Sequence, residues 1–281
     1  MIRRSLVLLV PLLCLTACGG SSSTNGGLPT IQAAKQFTLA DFTPTAPIAV
    51  GKPVRVSFVI RQPNGQPLTK YKHGAGPHTG VHLIIVRRDL STIIHTHPPI
   101  GADGRIATTI TFTQPGPYRV VVDAYPQSGV QPNFQLFTSL RVAGTYTPIK
   151  LPPYSATQVV DGYTFTIHGT PKLQAIQADY LHATVTGPNG KPAPFTPWFG
   201  AMAHAIFFRE GSLDYFHTHI CAPGQSACAA AVGARVSGQS LAPGKLTIAV
   251  LLPEGGTWRL FLQCRPNGKL VTAPFTLTVK Q

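Results

Sequence analysis

A seventeen-residue block that occurs twice constrains this chain more than any other feature. Residues 81–97 read VHLIIVRRDLSTIIHTH and residues 203–219 read AHAIFFREGSLDYFHTH. In both copies the second histidine follows the first by thirteen residues and the third follows by two more (His82, His95, His97; His204, His217, His219). Each copy is a pair of apolar runs around a short polar turn, which is the pattern of a β-hairpin. Two-residue loops are the commonest hairpin connection. With Arg88-Asp89 and Glu210-Gly211 as those loops, His82 falls opposite His95 and His204 opposite His217. The third histidine, two residues on, shares their face. Opposed Cβ atoms lie about 4.5–5.5 Å apart, so three imidazoles should converge at one end of each hairpin. That is a donor set for a transition metal. A loop one residue longer would put His82 and His95 on opposite faces, so the expectation turns on the loop.

The repeat extends beyond the hairpin. Val59–Pro67 matches Thr184–Pro192, and Pro115–Asp123 matches Gly255–Gln263. From about Phe37 onward, short runs rich in Val, Ile, Thr and Phe alternate with Gly, Pro and Asn turns, and no stretch keeps helical periodicity with caps. Such a pattern, doubled, predicts an all-β chain of two tandem β-sandwich domains. Residues 34–143 and 157–281 are the two domains, each long enough for its own core, and the proline-bearing stretch 144–156 is the linker. Ile84, Val86 and Ile93 share the histidine face of the first hairpin, as do Ile206, Phe208, Leu213 and Tyr215 in the second. This places the histidines on the inner face of each sandwich, near one end. The strand pattern of both units resembles the immunoglobulin-like sandwich, without its Cys…Trp…Cys spacing.

Residues 1–17 stand apart: Arg3-Arg4 and then an apolar run to Leu15 form a secretory signal, too short to span a membrane as a helix. Leu15-Thr16-Ala17-Cys18 resembles the lipobox of bacterial lipoproteins. That resemblance implies cleavage before Cys18, a lipid on its thiol, and anchoring to the membrane of the cell envelope. Residues 18–33, rich in Gly and Ser, are then a flexible tether. The full chain carries a formal charge of +14. Its basic residues are scattered, with no stripe interleaved with aromatics, which argues against nucleic acid as a partner. An exported chain is disulfide-permissive. Cys221 and Cys228 would close a short loop, although pairing of either with Cys264 is an open alternative.

Imidazole suits zinc, copper and nickel alike. Met202, opposite His219 on the two-residue-loop register, would add a thioether to the second site and tilt it towards copper. His73 and His78, in the loop before His82, could approach the first site, whereas His168 and His182 read as ordinary residues. No nucleophile elbow and no His-Glu-x-x-His pattern occurs, and the chain has only nine acidic residues to supply a general base. The chain reads as non-catalytic. Its His-x-His hairpins, followed by Pro-Gly-x-Tyr-Arg and Thr-Ala-Pro-Phe-Thr strands, resemble uncharacterised secreted bacterial proteins loosely grouped with heavy-metal handling. The expected function is therefore an envelope lipoprotein that binds or buffers copper, or next zinc. The alternative is a structural or interaction module contacting another envelope protein without any metal.

Overall fold

A computed structural model describes residues 37–74, 76–128, 133–222 and 238–281. Residues 36–281 form one compact unit. The described residues carry no helix long and apolar enough to cross a membrane. The first domain comprises β1 (Thr38–Thr43), β2 (Pro53–Arg61), β3 (Val81–Arg87), β4 (Ile93–Thr96), β5 (Arg105–Thr111), β6 (Gly116–Ala124) and β7 (Phe134–Val142). They form two sheets, ordered β1-β2-β5 and β4-β3-β6-β7. The second domain has β8 (Thr157–Val160), β9 (Tyr163–Ile167), β10 (Leu173–Gln174), β11 (Asp179–Thr186), β12 (Ala203–Arg209) and β13 (Tyr215–Cys221). It continues with β14 (Gly238–Ala242), β15 (Lys245–Val250), β16 (Gly256–Cys264) and β17 (Val271–Lys280). Its layers are β8-β9-β11-β15-β14 and β13-β12-β16-β17-β10, joined along one edge by the short parallel pairing of β13 with β14. The architecture is all-β: two tandem immunoglobulin-like sandwiches.

Each sandwich closes over side chains of one parity. Val81, Leu83 and Ile85 of β3 pack with Val120 and Val122 of β6 and with Phe58 and Ile60 of β2 in the first core. Ala203, Ala205 and Phe207 pack with Leu260, Leu262, Phe165 and Ile248 in the second. Both hairpins differ from the two-residue-loop expectation. The Arg87 N–H donates to the Thr92 carbonyl at 3.1 Å and that of Arg209 to Asp214 at 3.0 Å, so each loop has four residues. Paired positions therefore slip by two, and His204 lies opposite His219 and Ile206 opposite His217. In the first hairpin Ile84 lies opposite His95. A two-residue slip preserves parity, so the shared histidine face survives. The reason for the longer loop is tertiary. Leu90 (φ 59°) and Leu213 (φ 62°) adopt a left-handed conformation that leucine disfavours. Both are buried in an apolar cluster that neither hairpin forms alone. In the first loop Asp89 also accepts from the Ser91 N–H at 3.2 Å and pairs with the Arg87 side chain.

That cluster corrects a second expectation. Ile84, Val86 and Val121 of the first domain meet Ile206, Phe208 and Phe261 of the second. The histidine-bearing parity is thus the outer face of each sandwich, and the two outer faces pack against one another. A strand buried on both sides should be apolar throughout; every residue of β3 is buried, as are the first six of β12.

Gly116 begins β6 at φ 122°, and a Cβ there would sit 2.4 Å from Cδ2 of Tyr146. The Gly116→Ala change meets both backbone strain and a fixed ring. It should cost about 2 kcal/mol in urea unfolding; a loss below about 0.5 kcal/mol would show that Tyr146 yields freely.

Candidate metal centre

The face-to-face packing brings all six histidines of the two hairpins into one cluster instead of two separate sites. His82, His95 and His217 each offer a nitrogen within 4.8 Å of the others, and so do His204, His217 and His219. Ring centroids of His95 lie 5.0 Å from His204 and 5.3 Å from His217. His97 packs against His82, with centroids 3.8 Å apart. A seventh imidazole joins from a loop: His78 Nε2 is 3.1 Å from His219 Nδ1. His78, expected to approach the first domain's histidines, lies 5.3 Å from the ring of Tyr125 in that domain and also reaches the second domain through His219. His73, His168 and His182 are exposed.

The outward nitrogens are held in a reciprocal pattern. His82 donates Nε2–H to the Pro77 carbonyl at 2.7 Å, and His204, its counterpart, donates to the Trp198 carbonyl at 2.9 Å. His95 Nδ1 lies 3.0 Å from Gln263 Oε1 across the domain boundary. Its counterpart His217 has Nδ1 3.9 Å from the carboxylate of Asp123, again across the boundary. Asp123 and Gln263 occupy matching repeat positions, opposite His82 and His204 on neighbouring strands. The interface is thus a pseudo-twofold, self-complementary contact of the kind homodimers make. Gln263 spends its amide N–H on Thr272 Oγ1 at 3.0 Å, so its oxygen accepts from His95 Nδ1–H.

Fixing the outer nitrogen fixes the tautomer and leaves a lone pair on the inner one. His82 Nδ1, His95 Nε2, His97 Nε2, His217 Nδ1 and His219 Nε2 are buried without a hydrogen-bond partner. His204, with its Nε2–H spent on Trp198, accepts at Nδ1 from His217 Nε2–H at 3.2 Å, which leaves His217 Nδ1 without a hydrogen-bond partner, 3.9 Å from the Asp123 carboxylate. Protonation is disfavoured, because burial first, and then neighbouring imidazoles, hold His82, His95, His217 and His219 well below the usual range. Burial also takes His97 down to about 2 and His204 to about 4. Asp123 is pushed up to about 6 by burial, opposed by hydrogen bonds from Gln135, Tyr215, Asn133 and Tyr125.

The second domain roofs the cluster. Trp198 meets His95 and His204 edge-on at 5.1 Å each. Phe199 stacks on His97 at 3.7 Å and 10°. Phe199 (φ 46°) and Gly200 (φ 76°) form a two-residue turn closed by the Trp198 N–H on the Ala201 carbonyl at 2.8 Å. The register that set Met202 opposite His219 is not the one formed, and that residue packs against the core of the second sandwich. Cys221 is disulfide-bonded, whereas Cys264 is a free, buried thiol raised to about 12 by burial. Cys264 therefore takes no part in pairing; Cys228 and the lipidation residue Cys18 lie outside the described residues. Asp123, Gln263, Trp198 and Phe199 escaped sequence reasoning. The Asp123/Gln263 pair was within reach, because the matched strands align the two polar residues at the same distance from the hairpins.

Fold and site together define a class: a tandem β-sandwich protein whose domains share one buried histidine cluster. The chain belongs to the family described as a domain of unknown function (DUF8832), which it matches twice, over residues 35–140 and 157–281. No curated protein matches it. Among solved structures it is similar to a tetra-tandem repeat from the extending region of a large adhesion protein, at 11% identity and TM-score 0.26. That match covers 86% of this chain, which spans about half (49%) of the adhesion-protein structure. A chimeric titin Z1Z2 tandem is 13% identical, with 86% of this chain and 99% of that one covered and a TM-score of 0.21. The native form of Escherichia coli alpha-2-macroglobulin is 11% identical, with 87% and 14% covered and a TM-score of 0.27.

Proposed function

We propose that the protein is a non-catalytic binder of a divalent transition metal, held between its two domains and anchored to the cell envelope through Cys18. The observation that carries this reading is the set of buried imidazole nitrogens left without a hydrogen-bond partner, in a cluster where two groups of three histidines each bring ligating atoms within 4.8 Å of one another. An apolar contact of this kind would be cheaper to build from aliphatic side chains, because each unpartnered buried polar group costs about 1–3 kcal/mol. All the grouped donors are imidazoles, with one carboxylate beside them to offset charge. Among divalent ions such a set favours copper over zinc on intrinsic affinity. Met202 packs against the second core instead of standing opposite His219, so it lends copper(I) in particular no support.

A second reading, an envelope interaction module without metal, draws on the tandem-sandwich fold and on the interdomain cluster, whose apolar part could hold the domains together unaided. Calorimetric titration with Cu(II) and with Zn(II) separates the two. Saturable binding should be lost when His82, His95, His204 and His217 are all changed to Phe, a substitution that keeps an aromatic ring and removes both ligating nitrogens. Equal, weak binding by both proteins would leave the scaffold reading.

A further inference from the structure

The two nitrogen triads have different owners and one member in common. His204, His217 and His219 all belong to the second domain, on β12 and β13. His82 and His95 belong to the first domain, on β3 and β4, and complete their triad only with His217. His217 is the residue best placed to serve both. Its Nε2 is 3.2 Å from His204 Nδ1, its ring centroid is 4.4 Å from that of His219, and it is 5.3 Å from the rings of both His82 and His95. The face of each triad away from His217 is also anchored separately, through Pro77 and Gln263 on one side and Trp198 and His78 on the other.

Resting on the metal-binding reading, we propose that the cluster holds a single divalent ion that exchanges between two overlapping positions, with His217 the ligand common to both. In one position the ion is held by the second domain alone. In the other it ties the two domains together. A neutral imidazole has a single ring lone pair to give, so the positions are alternatives. Movement between them keeps His217 bound while the two other ligands are replaced, so the ion is never released to water. This makes the second domain the receiving half of the site, and the first domain the half that closes on the ion.

The test uses the purified chain and Cu(II) or Zn(II), with metal content after dialysis and electron paramagnetic resonance of the Cu(II) form as readouts. The wild type should retain one ion per chain, with a two-component Cu(II) spectrum. The double variant His82→Phe/His95→Phe should retain one ion and show one component; His204→Phe/His219→Phe should retain one ion and show the other. His217→Phe should lower affinity at least about 100-fold, consistent with loss of a direct ligand when supporting residues alone are worth 10–100-fold. Circular dichroism checks that each variant is folded, and the two-component wild-type spectrum needs no variant at all. Two ions per chain, a single wild-type component, or affinity in folded His217→Phe within threefold of wild type would overturn the exchange while leaving metal binding intact. No binding by the wild type would remove the underlying reading as well.

Discussion

The metal-free protein should lose most of its stability between pH 7 and pH 5.5. Burial lowers the folded-state pKa of His82, His95, His97, His204, His217 and His219. In that window the unfolded chain takes up protons near the ordinary value of 6.5 while the folded chain does not. Stability therefore falls as pH falls, because the unfolded state binds more protons. At pH 5.5 each such histidine contributes a loss of roughly 1.4 kcal/mol. Six together amount to about 8 kcal/mol, against the 5–15 kcal/mol that ordinarily holds a domain folded. Asp123 acts in the opposite sense: its folded-state value of about 6 lets the folded form gain a proton first. One carboxyl returns under about 1 kcal/mol over this range. The cheapest relief is separation of the two histidine faces, since it hydrates every imidazole without unfolding either core. Urea unfolding of chelator-treated protein at pH 7.5, 6.5 and 5.5 measures the loss, and small-angle scattering detects the separation. A midpoint unchanged across the series would mean that the imidazoles are already hydrated.

Replacing Phe261 with Ala should uncouple the two sandwiches. Phe261 lies on β16 with Leu260 and Leu262 pointing into the second core, while its own ring, 2% exposed, packs among Ile84, Val86 and Val121 of the first domain. Truncating a buried Phe costs about 3–5 kcal/mol where the cavity cannot collapse. Here the loss falls on the contact between domains and not on either core, so two unfolding transitions should replace one. The comparison is Leu260→Ala, which should weaken the second sandwich alone. A single transition with a loss under about 1 kcal/mol in Phe261→Ala would show that the apolar contact contributes little to docking. The histidine cluster would then be the main link between the domains.

Much of this molecule was readable from residue order. Period-two alternation and Gly/Pro punctuation specify short strands, and the doubled spacing of His82/His95/His97 and His204/His217/His219 specifies two copies of one sandwich. Parity also survived the error in loop length. Because side chains alternate along a strand, a slip of two positions changes partners but not faces, and the histidines still share a side. The loop length was not readable, since nothing local favours a left-handed Leu90 or Leu213; burial of their side chains between the domains outweighs that backbone cost.

Only the tertiary structure decided which face the histidines occupy. Local pattern cannot distinguish a strand's inner side from an outer side that is covered by another domain, because both are apolar. Once the outer faces meet, two expected three-histidine sites become one, His78 also reaches His219 of the other domain, Met202 packs against the second core, and Asp123 and Gln263 come to lie beside His217 and His95. Sequence determined which donors exist and that they come in two matched sets. Docking of the repeats determined their company, because the distances that matter run between strands about 120 positions apart along the chain, where no spacing rule reaches.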